Sequence, residues 1–459
     1  MWTRYGLLVL PSVLGLVSAR LGSTSLAGGN LSRRDINPDG VIRGVNLGGW
    51  LLTEEWITPS LYTNDAADEW HLCAELGKKK CLSVLESHWR SFFTRDDFEE
   101  IKSAGLNSVR IPIGYWAVDV LEAEPYVSGQ YPYLIQAVNW ATELGLSVLL
   151  DLHGAPGSQN GQDNSGLIGV TSFYSNTSNI DRTLNVLKNL TEEFTQDIYG
   201  GTVIGIELLN EPRLSDTFTM ADLKSFYSQA SETIRGVNGN INITMHDAFW
   251  GPQYWANYNP LPNSTQSTAL LDYTIDTHQY YAFEPLNNLP HDVILEKVCN
   301  VSKILKSTNQ GILPTIVGEW SLETGHSPNS SSSGLQNKDD SQAKRTWFRL
   351  FFESQLAAYQ PSASGQGQPS IGWYYWTWKT DYDIDTWSYR RGLAQGYIPS
   401  DVSNSSTLVF PILDNGCVDS TFNYTAPRNP GSSGVRLLPA SCWETGIFAL
   451  FFSFVVCIS

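Results

Sequence analysis

A single (β/α)8 TIM barrel with loop insertions is the α/β fold that the sequence predicts, on two observations. Eight short apolar or β-branched runs alternate with helical stretches between residues 41 and 379, the pattern of a parallel sheet covered by helices. Most of these runs also begin apolar and end polar, and α/β barrels place their chemistry at the C-terminal ends of their strands.

The elements follow in order. VIRGVNLGG (41–49) is the first strand. A helix over 95–105 leads into SVRIPIG (108–114), which carries Arg110. A helix over 132–145 leads into SVLLDLHG (147–154), which ends on His153. The Gly-rich loop that follows, GAPGSQNGQDNSG (154–166), lacks the spacing of a phosphate cradle. A helix over 181–197 precedes VIGIELLNEP (203–212), which ends on Asn210 and Glu211, and one over 221–235 precedes NITMHDAFW (242–250). YTIDTHQYY (273–281) carries His278, and PTIVGEWS (314–321) carries Glu319. A helix over 341–359 leads to GWYYWTWK (372–379), with Trp376. Segments 325–340 and 360–370 read as surface loops, and no repeat or second domain interrupts the pattern.

Composition narrows the function. Hydrophobic residues make up 42% and charged residues 16%, enough for a large core and too apolar for disorder. With 29 Lys+Arg against 46 Asp+Glu, the formal net charge is −17, which argues against nucleic-acid partners and anionic polymers.

The ends of the chain speak to location. Residues 1–19 combine Arg4, an apolar stretch and the small-residue site Val17-Ser18-Ala19, a secretory signal peptide. Residues 20–34 form a candidate propeptide ending on Arg33-Arg34. Residues 35–425 are assigned to the catalytic domain. A linker (426–445) holds the small-residue run NPGSSG, with Ser432 or Ser433 as the candidate attachment site, and an apolar tail (446–459) follows. Together they read as a GPI-anchor signal whose tail is removed. The expected location is therefore the cell surface or wall, and the anchor is the expected link to the membrane. Sequons at Asn30, Asn176, Asn189, Asn242, Asn263, Asn300, Asn329, Asn404 and Asn423 agree. The six cysteines contain no CxxC pair, which favours disulfides over a zinc site. Cys73 with Cys81 and Cys299 with Cys417 are candidate pairs, connectivity being left open because spacing does not determine it, while Cys442 and Cys457 lie near the tail.

Two glutamates carry the chemistry. Glu211 and Glu319 end strands four and seven, which face each other across a barrel. Glycoside hydrolysis needs one carboxylic acid to protonate the leaving oxygen and a second to act at the anomeric carbon. Burial and mutual repulsion are expected to raise the acid's pKa.

Long motifs then resemble a known family. RGVNLGGWLLTEEWITPSLY (43–62), RIPIGYW (110–116), DLHGAPGSQNG (151–161), LLNEP (208–212), DAFW (247–250), VGEW (317–320) and WYYWTWKT (373–380) are similar to the fungal exo-β-1,3-glucanases of glycoside hydrolase family 5. The resemblance runs from about residue 40 to Cys417. It implies Glu211 as acid/base and Glu319 as nucleophile. It implies that Asn210 binds the sugar 2-hydroxyl and that Arg110 orients the nucleophile. His153, His278 and Tyr280 would hold the sugar and position the carboxylates. Trp376 would form the floor under the terminal glucose, Glu54 would bind hydroxyls at the blind end, and Phe249 and Phe283 would line the entrance. One position departs: Gln162 stands where the family usually has an aromatic that clamps the leaving sugar. No metal or organic cofactor is implied. The expected substrate is β-1,3-glucan, cleaved by a monomeric enzyme to release glucose from the nonreducing end. A different target (β-1,6-glucan, cellulose or a glucosylated lipid) and a noncatalytic wall-binding barrel are the alternatives.

Overall fold

The computed structural model describes residues 39–427, apart from 63–64, 263–271, 288, 309, 326–341, 363–366 and 414. The signal peptide, candidate propeptide, anchor signal, Cys442, Cys457, and the sequons at Asn30, Asn263 and Asn329 lie outside the described residues.

Eight parallel strands close on themselves in chain order: β1 (Ile42–Asn46), β2 (Ser108–Gly114), β3 (Ser147–Gly154), β4 (Val203–Glu207), β5 (Asn242–His246), β6 (Tyr273–Tyr281), β7 (Thr315–Thr324) and β8 (Ser370–Tyr375). Every predicted strand is present. The differences lie at the ends: β4 stops at Glu207 and β5 at His246, so Asn210, Glu211 and the DAFW residues beyond His246 sit on loops. Each runs past the last parallel partner its neighbours offer, and the chain turns there.

The α-helices are α1 (Glu69–Leu76), α2 (Lys78–Ser91), α3 (Arg95–Ser103), α4 (Tyr131–Leu144), α5 (Thr177–Phe194), α6 (Met220–Val237), α7 (His291–Leu305), α8 (Gln342–Tyr359) and α9 (Tyr389–Gln395). The long helices other than α8 bury one stripe against the barrel, whereas α8 is buried on all sides from Phe351 to Tyr359. On α5 the buried residues Ile180, Thr183, Val186, Leu187, Leu190 and Phe194 recur at helical spacing. Thr94 with Asp97 and Thr219 with Asp222 form capping boxes that start α3 and α6. The sequence reading did not identify α1, α2, α7 or α9. Among the described residues no α-helix separates β5 from β6, where a 3-10 turn (Pro252–Trp255) stands instead.

Inside the barrel, Ile42, Leu149, Ile316 and Tyr374 form a small buried apolar cluster of their own. The structure decides the pairing: Cys73–Cys81 links α1 to α2, and Cys299–Cys417 ties α7 to the C-terminal loop.

Candidate active site

The site is built around one buried cation. Arg110 is the third residue of β2 and fully buried. Its guanidinium donates to Asn46 Oδ1 (2.9 Å), Glu207 Oε2 (2.9 Å), Asn210 Oδ1 (2.8 Å) and Glu319 Oε1 (2.9 Å). Asp151 Oδ2 lies 3.1 Å from it and Asp276 Oδ2 3.8 Å. A planar fork with five donors suits this task, because it serves several strands at once.

The two glutamates meet over this layer. His278 Nδ1 lies 2.7 Å from Glu211 Oε1 and 3.4 Å from Glu319 Oε2. One nitrogen touching both oxygens caps their separation at about 6 Å, within reach of a retaining pair and short of the gap an inverting enzyme needs. Tyr280 Oη donates to Glu319 Oε2 at 2.8 Å, and Asn164 Nδ2 donates to Glu211 Oε2 at 3.0 Å. His278 and Glu319 are paired residues of β6 and β7, next to a register shift that sets them side by side. Glu211 has φ +45, a left-handed conformation that costs a non-glycine residue about 1–2 kcal/mol. Its backbone is latched from below, since Gln159 Nε2 donates to the carbonyls of His153 and Asn210.

Protonation departs from the sequence expectation. Burial pushes Glu211 up, but the hydrogen bond and charge of His278, with His246 and His153 nearby, overcome it and bring the carboxyl down to about 2. Burial pushes Glu319 above its ordinary value despite His278 and Arg110. Burial lowers His278, yet Glu319, Asp276 and Glu211 outweigh it and hold the imidazole well above its usual range. The pair therefore favours a Glu211 carboxylate beside a His278 imidazolium, one hydrogen bond apart, where the sequence reading expected a protonated Glu211.

The remaining anticipated residues fall around this centre. His153 packs its ring parallel to Trp376, with centroids 5.5 Å apart. Its Nδ1 bonds Asp151 Oδ2 at 2.5 Å, and its Nε2 lies 3.4 Å from the Asn210 amide, so it orients Asn210 and touches neither glutamate. Glu54 is buried. One oxygen accepts from Trp56 Nε1 at 2.9 Å, and the other has no partner. Burial and the neighbouring Asp163 hold its carboxyl well above the ordinary range, so it can both donate to and accept from a sugar hydroxyl. Phe249 and Phe283 are 55% and 60% exposed on the loops after β5 and β6. Phe283 meets Tyr280 edge-on at 5.7 Å. Gln162 is half-buried where the chain enters the 3-10 turn Asp163–Ser165 and offers no ring to the entrance.

Asn46, Asp151, Asn164, Glu207, His246 and Asp276 escaped the sequence reading. A signal existed for two of them. In DLH and DTHQY the polar residues alternate with period two, which puts Asp151 beside His153, and Asp276 below His278, on the inward face. Two sets of side chains place possible ligand atoms within 4.8 Å of one another: Glu211, His246 and His278, and Glu207, Asp276 and His278. Both use His278, which is engaged with the carboxylates, and Arg110 supplies positive charge to the second set.

This geometry agrees with the relationships of the chain. Residues 73–381 match the family model for cellulase (glycosyl hydrolase family 5). The chain belongs to glycoside hydrolase family 5. It is 35% identical over 433 residues to a probable glucan 1,3-beta-glucosidase A of Aspergillus fumigatus, covering 88% of this chain and 97% of that one. It is 36% identical over 380 residues to glucan 1,3-beta-glucosidase 1 of Schizosaccharomyces pombe, covering 78% and 88%. The rutinosidase of Aspergillus niger shares the fold, with a TM-score of 0.64, 23% identity, and coverage of 78% of this chain and 98% of that one. Family 5 hydrolases are retaining enzymes that use two carboxylates, and this member holds such a pair.

Proposed function

We propose that the protein is an exo-acting, retaining glucan 1,3-β-glucosidase that removes glucose from the nonreducing end of β-1,3-glucan. The observation that carries this reading is the placement of Glu211 and Glu319 around one His278 nitrogen, next to the unpartnered buried oxygen of Glu54. The relatives' names support the linkage.

In the first displacement Glu319, held by Arg110 and Tyr280, attacks the anomeric carbon. The glycosidic bond breaks as Glu211 gives its proton to the leaving oxygen, having received that proton from His278 Nδ1. In the second, Glu211 takes a proton from water and returns it to His278 Nδ1, the hydroxide attacks the anomeric carbon, and Glu319 leaves as a carboxylate. Two inversions retain the configuration. Asn210, fixed by Arg110 and His153, would hold the 2-hydroxyl, whose hydrogen bond strengthens in the transition state. Trp376 would face the sugar ring. The noncatalytic alternative has no use for so ordered a carboxylate pair.

The pH profile follows. Glu319 must be ionised, and its raised pKa means that activity is lost on acidification through a limb above 4.5. The His278–Glu211 pair must keep one proton, and the raised His278 pKa means that activity is lost on the alkaline side through a limb above 6.5. A bell-shaped kcat profile with those bounds is expected. His278→Asn should lower kcat by about 10²-fold or more and displace the alkaline limb. An unshifted alkaline limb would show that the proton is held elsewhere.

We further propose that the enzyme is a monomeric glycoprotein at the cell surface or wall, held to the membrane by a GPI anchor. Five sequon asparagines (Asn176, Asn189, Asn300, Asn404 and Asn423) are exposed, whereas Asn242 is half-buried in β5. Two disulfides suit an oxidising compartment. A closed barrel leaves no strand edge for a second copy to extend.

Product analysis tests the activity. Laminarin, a β-1,3-glucan, should yield glucose alone, and pustulan (β-1,6) and carboxymethylcellulose should yield none. A ladder of oligomers would exclude exo action, and faster release from pustulan would reassign the linkage.

A further inference from the structure

We propose that Trp250 and Tyr254 form an outlying shelf that stacks glucosyl units of a long β-1,3-glucan chain beyond the aromatic entrance of the cleft. The inference rests on the reading of the enzyme as a glucan hydrolase.

Four of the six exposed large aromatic side chains among the described residues, Phe249, Trp250, Tyr254 and Phe283, belong to the loops after β5 and β6, on the mouth side of the barrel. Trp250 is 58% exposed and Tyr254 41%. Chance scatter would not gather them beside the site, and exposed aromatic rings at one place mark a surface that meets a partner.

The backbone is built to hold them out. Asp247 to Trp250 is a tight turn closed by Trp250 N–H donating to the Asp247 carbonyl at 3.1 Å. Both central residues, Ala248 and Phe249, have positive φ (+53 and +62), where such turns ordinarily use Gly, Asn or Asp. The turn is pinned from two sides. Asp247 Oδ1 accepts from Phe249 N–H at 2.8 Å, and buried Trp255 donates its Nε1–H to the Asp247 carbonyl at 3.0 Å. Strain of this kind persists where a surface has a task. The 3-10 turn that replaces a helix after β5 then brings Tyr254 back against Trp250, ring centroids 5.0 Å apart and planes tilted by 54°.

The occupant follows from shape and position. Phe249 meets His246 edge-on at 5.1 Å, and His246 meets His278 at 4.5 Å. A line of rings therefore leads from the carboxylates to Phe249, and Trp250 adjoins it in the chain. A flat β-1,4-glucan ribbon suits coplanar rings. A β-1,3-glucan coils, so the faces of successive sugars turn, as do the two rings of the shelf. Gln162 brings no ring to the entrance, and the shelf adds aromatic surface further out.

The test compares long and short substrates with the full chain. Trp250→Ala, and separately Tyr254→Ala, should lower kcat/KM on laminarin by about three- to tenfold, mainly through KM, as loss of one stacking contact predicts. Activity on laminaribiose should stay within about twofold, because a disaccharide ends before the shelf. Trp250→Phe should recover most of the laminarin activity. Unchanged laminarin kinetics, or equal losses on both substrates, would overturn the shelf while leaving the exo-glucanase reading intact. If the unaltered protein released no glucose from either substrate, that reading would fail and the shelf with it.

Discussion

Glu319→Gln lowers kcat by about 10⁴-fold or more while leaving the fold intact. The amide keeps the shape of the carboxylate but cannot form the glycosyl ester on which the first displacement depends. Folding is spared because Arg110 retains Asn46, Asp151, Glu207 and Asn210 as partners, so no buried charge is left alone. The two glutamates can also be told apart chemically. With Glu319→Ala and azide, the anion enters from the face that the nucleophile vacates, and the product is α-glucosyl azide. With Glu211→Ala and an activated aryl glucoside, the ester still forms, and azide displaces it to give the β-anomer. NMR of the anomeric proton reads the difference. Undiminished turnover by Glu319→Gln, or reversed anomers, would remove the assignment.

Arg110→Met destabilises the protein by about 3–5 kcal/mol, because deleting one partner of a buried ionic network leaves the others unpaired. Asp151, Glu207 and Asp276 would then face each other inside a dry barrel, left among the described residues with the imidazoles of His153 at Asp151 and His278 at Asp276. The denaturant midpoint should fall accordingly. Catalysis should suffer separately. Glu319 loses an attraction that opposes its burial, so its pKa climbs further and the acid limb of the pH profile moves to higher pH. Arg110→Lys keeps the charge but not the fork, and should recover part of the stability and less of the rate. An unchanged midpoint for Arg110→Met would mean that the acids of this layer find compensation without the guanidinium.

The eight strands were legible because a buried parallel strand needs an unbroken apolar run, and a run is a local property. Glu211 and Glu319 were legible for a related reason: each is a polar residue that follows an apolar run, although Glu211 lies on the loop past β4 and Glu319, expected to end its strand, is the fifth of the ten residues of β7. Helices α1, α2, α7 and α9 escaped, though each is covered on one side by tertiary contacts. Helix α2, for instance, opens on three consecutive lysines and buries only Cys81, Leu85, His88 and Trp89.

What the sequence by itself determined is the barrel, its strand order and the pair of glutamates, since these follow from periodicity and from which residues end each run. Only the tertiary structure decided where the proton rests. Glu211 would hold it if burial ruled, yet His278, Arg110 and four further carboxyl groups converge from five strands or their loops, and the balance of their charges at distances of 2.7–3.8 Å lowers Glu211 and raises His278. Electrostatic energies of this size depend on separations that no local pattern encodes. The same holds for the turn that carries Phe249 and Trp250: its left-handed backbone is held by the Asp247 side chain within the turn and by Trp255 from beyond it, against the preference of Ala248 and Phe249.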